Sequence, residues 1–364
     1  MEKLQIGLLL PTSTILPLSK EFEKGLRDGI KHQNTDIEYE LSKEFIGQGN
    51  LKAIEEACNK LFNYDDASIV TGIVSNKAAE TIAEKFKNNQ VPLLVNNVGG
   101  HIPTIAKLNE YIHINSMNLW SHAWALGYWG VKHFGKKGMF VSSMYDAGYS
   151  FSHMFNEGMK AADPTSEWFF SVTPMPEQGT LSNMDILFPF IEKYQPDFIL
   201  ATFCGTETTL FINEFIKRGY HKKIKLLGLP FLLYPFAPVN EDITIYTSMP
   251  FANDPDKATE QSFYHLGYRS GTTIVQAVLA GKGNLNAGIH SVGKTLSIDS
   301  DNSEKKYKNA IEKINIVRND IKAGESSFVQ TVVNADDAIT IPDQVLESIS
   351  GEVTFGWLNP YLCV

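Results

Sequence analysis

Leu4-Gln5-Ile6-Gly7-Leu8-Leu9-Leu10 is a near-continuous apolar run that stops at Pro11 and opens directly into Thr12-Ser13-Thr14. A strand covered by helices on both faces reads this way, because neither face meets water and no polar alternation is needed. The run is too short to cross a membrane. No small-residue cleavage site follows it, so it reads as the first β-strand and not as a signal peptide.

The pattern repeats outward from that strand. A helical stretch over about residues 18–33 is followed by a strand at 36–41 and a helix at 50–62. That helix places Ile54, Ala57, Cys58 and Leu61 on one face. Strands at 68–72 and 92–95 flank a helix at 77–88. Further strands are predicted at 111–114, 139–141, 168–172, 198–203 and 225–229. Helices are predicted through Trp120, Trp124 and Trp129, and at 151–162, 181–194 and 206–218. A long amphipathic helix over about 257–279 comes late. Strict β-α-β-α order implies parallel sheets with helices on both faces, an α/β doubly wound class.

Length and composition narrow the function. At 364 residues the chain is long enough for two domains of about 150 residues each. No Pro/Gly/Ser linker divides it, which suggests a chain that crosses between domains more than once. With 43% hydrophobic and 20% charged residues it is an ordinary globular composition. The net charge of −9 argues against a general nucleic-acid binder, which needs clustered Lys and Arg. Three cysteines, Cys58, Cys204 and Cys363, allow at most one disulfide and contain no CxxC pair.

Catalytic motifs are sparse. Gly288, Gly293, Lys294 and Thr295 fit the phosphate-cradling G-x-x-x-x-G-K-[ST] pattern. That loop works between a strand and a helix. Here it follows a helix ending near Gly281 and precedes strand-like Leu296, so it reads as a Gly-rich turn. No G-x-G-x-x-G follows the first strand and no G-x-S-x-G elbow exists. The nine histidines contain no i, i+4 pair, which disfavours a helical zinc site. His122 and His133, on the Trp-rich helix, read as core or surface residues.

Ligands of doubly wound sheets bind outside the carboxyl ends of the strands. The loops there are rich in hydroxyls, amides and aromatics. They supply the candidate ligand contacts: Ser13; Ser75 and Asn76; Asn97, Val98 and Gly99; Tyr145, Asp146 and Tyr149; Phe203, Cys204 and Thr206; and Phe231. Hydroxyls and helix N-termini suit a carboxylate, and rings supply apolar walls. Ser, Thr and Asn also cap helices, so Ser75 suits either task.

Four stretches resemble the type I periplasmic solute-binding proteins of ABC transporters, of the branched-chain amino-acid-binding kind. They are Ile6-Gly7-Leu8-Leu9-Leu10-Pro11 with Phe22, Gly25 and Gly29; Ser68-Ile69-Val70-Thr71-Gly72 with Ser75, Ala78-Ala79 and Val91-Pro92; Met144-Tyr145-Asp146-Ala147-Gly148-Tyr149 with Phe155, Gly158 and Met159; and Gln195-Pro196-Asp197-Phe198-Ile199 with Gly205, Phe215, Gly219 and Gly228. Their order and spacing carry the resemblance over most of residues 1–283.

The resemblance implies two Rossmann-like lobes joined by three crossovers, near Asn115, near Met249 and around 285–300, with a ligand trapped by hinge closure. Lobe 1 would be residues 1–115 plus about 250–290, and lobe 2 residues 116–249 plus about 291–364. It implies a non-enzymatic role without a cofactor: a monomer outside the cytoplasm, its export signal absent from this chain, passing its ligand to a membrane permease. By the same resemblance Ser75 and Asn97 to Gly99 hold a ligand carboxylate, Tyr145 or Tyr149 closes over it, and Phe203 to Thr206 face them. The position where such proteins keep a carboxylate for the ligand's ammonium maps to apolar Pro230 and Phe231; Asp146 or Glu207 could substitute. The other readings are a sensor domain of the same fold and a nucleotide-using enzyme acting at the Lys294 loop.

Overall fold

The computed structural model describes residues 3–13, 17–33, 35–104, 107–144, 146–177, 180–233, 237–248, 262–293, 314–336 and 338–342. Tyr145, Met249, Lys294, Thr295 and Cys363 fall outside them, as does the start of the long late helix.

The opening strand β1 (Leu4–Leu10) is buried over its last five residues, as a strand covered on both faces must be. It lies between β2 (Tyr39–Phe45) and β3 (Ile69–Ile73), followed in the sheet by β4 (Leu93–Asn97) and β5 (Ile112–Ser116). All four pairings are parallel. The helices α1 (Leu18–His32), α2 (Leu51–Asn63) and α3 (Asn76–Asn89) connect them. β2 runs later than the expected 36–41, because it pairs with β1 from Leu4↔Tyr39 to Leu10↔Phe45. As an edge strand it alternates half-buried and exposed residues, a weaker signal than a buried run.

After β5 the chain leaves this sheet. α4 (Leu119–His133) packs on a second sheet of β6 (Lys137–Ser143), β7 (Glu167–Thr173), β8 (Phe198–Ala201), β9 (Lys225–Gly228) and β10 (Ile243–Ser248). Its helices are α5 (Phe151–Ala162), α6 (Phe188–Tyr194) and α7 (Thr206–Lys217). The single helix expected over 181–194 is a short 3-10 turn at Met184–Ile186 and then α6. Pro189 lacks an N–H and fits only a first helical turn, so it sets where α6 begins.

The chain then returns. α8 (Ser262–Gly281) packs on α1, β4 and β5 of the first sheet, and α9 (Leu285–Gly293) packs on α8. Gly288 sits inside α9, where a β-carbon would stand 2.1 Å from the Ala277 carbonyl oxygen. The Gly288–Gly293 stretch is therefore helix and helix contact, not the Gly-rich turn expected. The chain finally rejoins the second sheet as β11 (Ile316–Ile321) and β12 (Phe328–Val332), both antiparallel, giving the order β12-β11-β10-β9-β8-β6-β7.

Each sheet is covered by a helix pair in unusually close contact. In α1 and α8, Gly25, Gly29, Gly267 and Gly271 each face a carbonyl oxygen of the other helix, 2.0–2.2 Å from where a β-carbon would sit. In α4 and α5, Gly127 and Gly158 do the same against Phe155 and Trp124. Spacing glycine every fourth residue clears one helical stripe, so the backbones can touch.

Candidate functional site

The carboxyl ends of β3, β4 and β5 carry a buried amide cluster. Asn97 Nδ2 donates to the Val74 carbonyl at 3.0 Å and to Asn76 Oδ1 at 2.7 Å. Asn97 Oδ1 accepts from Gly99 N–H at 2.9 Å and Ser116 Oγ at 2.8 Å. Asn76 Nδ2 reaches the His101 carbonyl at 2.8 Å. Both amides are buried and hold the loop after β4, so their geometry is that of positioning groups. Ser75 Oγ accepts from Ala78 N–H at 3.1 Å and caps α3.

That loop is bonded to the first chain passage. Leu119 N–H donates to the Val98 carbonyl and Trp120 N–H to the Gly99 carbonyl, both at 2.9 Å. Gly99 has φ +78°, and a β-carbon there would lie 2.5 Å from Asn118 Cα. Glycine is required twice over, by conformation and by space. The loop also touches the second sheet's side. Ser150 N–H donates to the Gly100 carbonyl at 2.9 Å, and the Tyr149 ring lies 5.3 Å from the His101 ring.

Beneath the passage lies a second polar network. Asn115 Nδ2 donates to Asn96 Oδ1 at 2.6 Å and to the Leu266 carbonyl at 2.9 Å. Ser270 Oγ donates to the same Asn96 oxygen at 2.6 Å, and Arg269 reaches Asn115 Oδ1 at 3.2 Å. The first passage and the returning helix α8 are thus tied to one another and to β4.

The second sheet presents a different surface. Seven buried polar atoms at its carboxyl edge have no hydrogen-bond partner among the described residues: Ser143 Oγ at the end of β6, Thr173 Oγ1 at the end of β7, Thr202 Oγ1 just after β8, Ser248 Oγ at the end of β10, Ser150 Oγ and Thr208 Oγ1 at the starts of α5 and α7, and Asp146 Oδ1. A buried unpaired group costs about 1–3 kcal/mol, so this edge is a candidate for polar contacts from a bound molecule. Asp146 is 2% exposed. Burial pushes its carboxyl well above the usual range, and the Glu207 carboxylate adds to that.

Of the residues expected from sequence, Val98, Tyr149, Cys204 and Phe231 all belong to one extended buried cluster that draws on both sheets. Asn76, Asn97 and Gly99 form the amide cluster, and Ser75 caps the helix that begins with Asn76. Phe203 is not among them: its ring stacks on Phe211 at 4.7 Å, in the core on the far side of the second sheet. Cys204 is disulfide-bonded. Ser13 is half-buried after β1, and Thr206 is exposed at the start of α7. Ser143 and Thr202 lie in the strand-end loops but, like Ser150, Thr173, Thr208 and Ser248, are not among the contacts expected from sequence. Their common signal is a hydroxyl at a strand end or helix start.

The opposite edge of the second sheet carries an open groove of about 770 Å³ lined by His221, Lys222, Glu241, Asp242, Arg318 and Lys322. Its charges are already matched: Lys222–Glu241 and Lys322–Asp242 are each 2.6 Å apart. His122 on α4 is fully buried, which lowers its pKa to about 3 and keeps it neutral.

A parallel sheet and a mostly parallel one, between which the chain passes three times, with Ser150 and Tyr149 of the second touching the loop after β4 of the first, match the two-lobed type I periplasmic binding protein fold. A family model described as Periplasmic binding protein matches residues 3–265, and the chain belongs to that family of ABC-transporter solute-binding proteins. Among solved structures, the chain is similar to an ABC transporter substrate-binding protein from Sphaerobacter thermophilus (TM-score 0.69, 15% identity, covering 91% of this chain and 97% of that one). It is also similar to a leucine-binding protein from Thermotoga maritima (0.65, 16%, 92% and 99%). A third is an R. palustris solute-binding protein in complex with benzoate (0.66, 20%, 93% and 99%). No curated protein sequence matches the chain. Among the described residues, no helix is long and apolar enough to cross a membrane.

Proposed function

We propose that the protein acts outside the cytoplasm, captures a small carboxylate-bearing molecule between its two lobes, and delivers it to the membrane permease of an ABC transporter. The ligand would be an amino acid or a related aliphatic or aromatic acid. The observation that carries this reading is the set of buried hydroxyls on the second sheet's edge without partners among the described residues, an edge whose Ser150 and Tyr149 touch the amide-rich loop after β4. Hydroxyls and helix starts favour an anionic oxygen without carrying out chemistry on it. The named ligands of the neighbours, leucine and benzoate, are both small acids.

In this reading Ser75, at the start of α3, meets the carboxylate, while Asn97 and Gly99 shape the loop beside it. Tyr149 and Phe231 supply apolar wall. The lobes are residues 1–115 plus about 250–290, and 116–249 plus about 291–364. They close as rigid bodies about the three passages. The disulfide at Cys204 suits an oxidising compartment. The chain would work as a monomer.

Calorimetry on ligand-stripped protein with a panel of amino acids and aromatic acids tests the reading. Saturable binding of at least one small acid is expected. Binding of none would overturn it.

A further inference from the structure

We propose that Glu80 is a positioning residue of the binding site: from α3 it fixes the end of the loop after β4, and through that loop the fit between the two lobes. The inference rests on the capture reading above and assigns a residue which that reading does not use.

α3 carries a polar stripe. Asn76, Glu80 and Glu84 follow one another at four-residue spacing, about one helical turn, and so share a face. Asn97, His101, Thr104 and Asn109 are fastened along that stripe in the same order. At the first turn, Asn76 Oδ1 accepts from Asn97 Nδ2 at 2.7 Å and Asn76 Nδ2 donates to the His101 carbonyl at 2.8 Å. At the next, Glu80 Oε1 accepts from Thr104 N–H at 2.6 Å. At the third, Asn109 Nδ2 donates to the Ala83 carbonyl at 2.8 Å and reaches Glu84 Oε1 at 3.5 Å.

The middle fastening is the charged and buried one. The side chain of Glu80 is 4% exposed and that of Lys77 10%. Lys77 Nζ lies 3.3 Å from Glu80 Oε2 and donates to Thr104 Oγ1 at 3.1 Å. Thr104 is thus gripped twice, by its N–H and by its hydroxyl. A buried ion pair adds little net stability over apolar side chains of the same volume, because both charges must leave water. What this pair provides that an apolar one would not is the grip on Thr104.

The loop so fixed is where the lobes meet. Val98 to Pro103 are buried without a break. The Gly100 carbonyl accepts from Ser150 N–H at 2.9 Å, and the His101 ring lies 5.3 Å from the Tyr149 ring. A β-carbon on Gly100 would stand 2.7 Å from the Tyr149 ring. Packing this close leaves no slack, so a shift of the loop is passed on to Tyr149 or opens a gap beside it. Asn76, Leu119 and Trp120 hold the loop as far as His101; Glu80 and Lys77 hold its end.

The test compares two double variants of the whole chain, Lys77→Met with Glu80→Gln and Lys77→Met with Glu80→Met. Both lack the buried charges and fill similar space, but only the glutamine keeps an acceptor for Thr104 N–H. Urea midpoints of the two should agree, since neither leaves a charge unpaired. Amide hydrogen exchange in peptides covering 98–104 should be about tenfold faster in the methionine variant, the loss of one hydrogen bond. Affinity is read by calorimetry with L-leucine, benzoate and the rest of the acid panel. It should be about tenfold weaker in the methionine variant than in the glutamine one. Equal exchange in the two, or faster exchange with equal affinity, overturns the assignment. So does a midpoint that falls in step with affinity, the mark of a residue that only stabilises the fold. If the parent binds no acid of the panel, the capture reading fails, and exchange at 98–104 still decides whether Glu80 positions the loop.

Discussion

Gly25 of α1 lies directly against the Tyr264 carbonyl of α8, where a β-carbon would stand 2.0 Å from the oxygen. Residues 25 and 264 are far apart in sequence, yet their backbones touch. Gly25→Ala would gain helix propensity of about 1 kcal/mol. The added methyl must still push two helices apart, and overpacking of this kind costs about 1–3 kcal/mol. The expected net effect is a lower urea midpoint. Midpoints at or above that of the parent would show that the helix pair can relax.

Thr202→Val should separate stability from function. The hydroxyl is buried and has no partner among the described residues, so replacing it with a methyl of the same shape removes an unmet polar group. Stability without ligand should be unchanged or rise by up to about 1 kcal/mol, while ligand affinity falls. Chemical denaturation and calorimetry on the same preparation read both.

Ser75→Ala should do two things at once. Loss of the cap on Ala78 N–H should lower stability by about 1 kcal/mol. If Ser75 also meets the ligand, affinity should drop by a further 1–3 kcal/mol or so. Ser75→Asp keeps the cap but repels a carboxylate, so it should hold stability and abolish binding.

Stability should depend on pH through Asp146. Its carboxyl is raised in the folded chain relative to the unfolded one. The folded state therefore binds more protons, and stability falls as pH rises from about 4 through the folded pKa. Thermal midpoints for Asp146→Asn should show a flatter profile over that window. An equally steep profile in the variant would remove Asp146 as its source.

Cys58 is buried in the core beside Leu61 and Ile54, and burial pushes its thiol up to about 12. It should resist alkylation in the native protein and react only on unfolding. Mass spectrometry after a timed pulse of iodoacetamide reads this directly.

The buried strands were the legible part of the fold. β1, β3 and β4 carry runs that only a doubly covered sheet accommodates, and they sit where those runs end. β2 slipped because an edge strand signals through alternation alone. The α6 start hid because Pro189 reads equally as a break or a first turn until the neighbouring turn is seen. The stretch around Gly288 misled because a glycine in a helix contact and a glycine in a turn are the same letter. In the site, loop composition pointed to the right strand ends. It could not separate Asn97, whose amide is fully engaged in holding its loop, from Thr202, whose hydroxyl is unengaged. That difference is made by partners more than twenty residues away, such as Val74 and Asn76.

The return of α8 to α1 also dictates an order of events during synthesis. The stripe of α1 that carries Gly25 and Gly29 has no cover until residue 262 and beyond has emerged, by which time the parallel strands of the other sheet are already made. Neither half can be completed before the last third of the chain exists, since β11 and β12 close the second sheet later still. A nascent chain of this topology is held open by its own wiring until nearly its end, and a truncation after β10 should leave both halves unfinished and not one half intact.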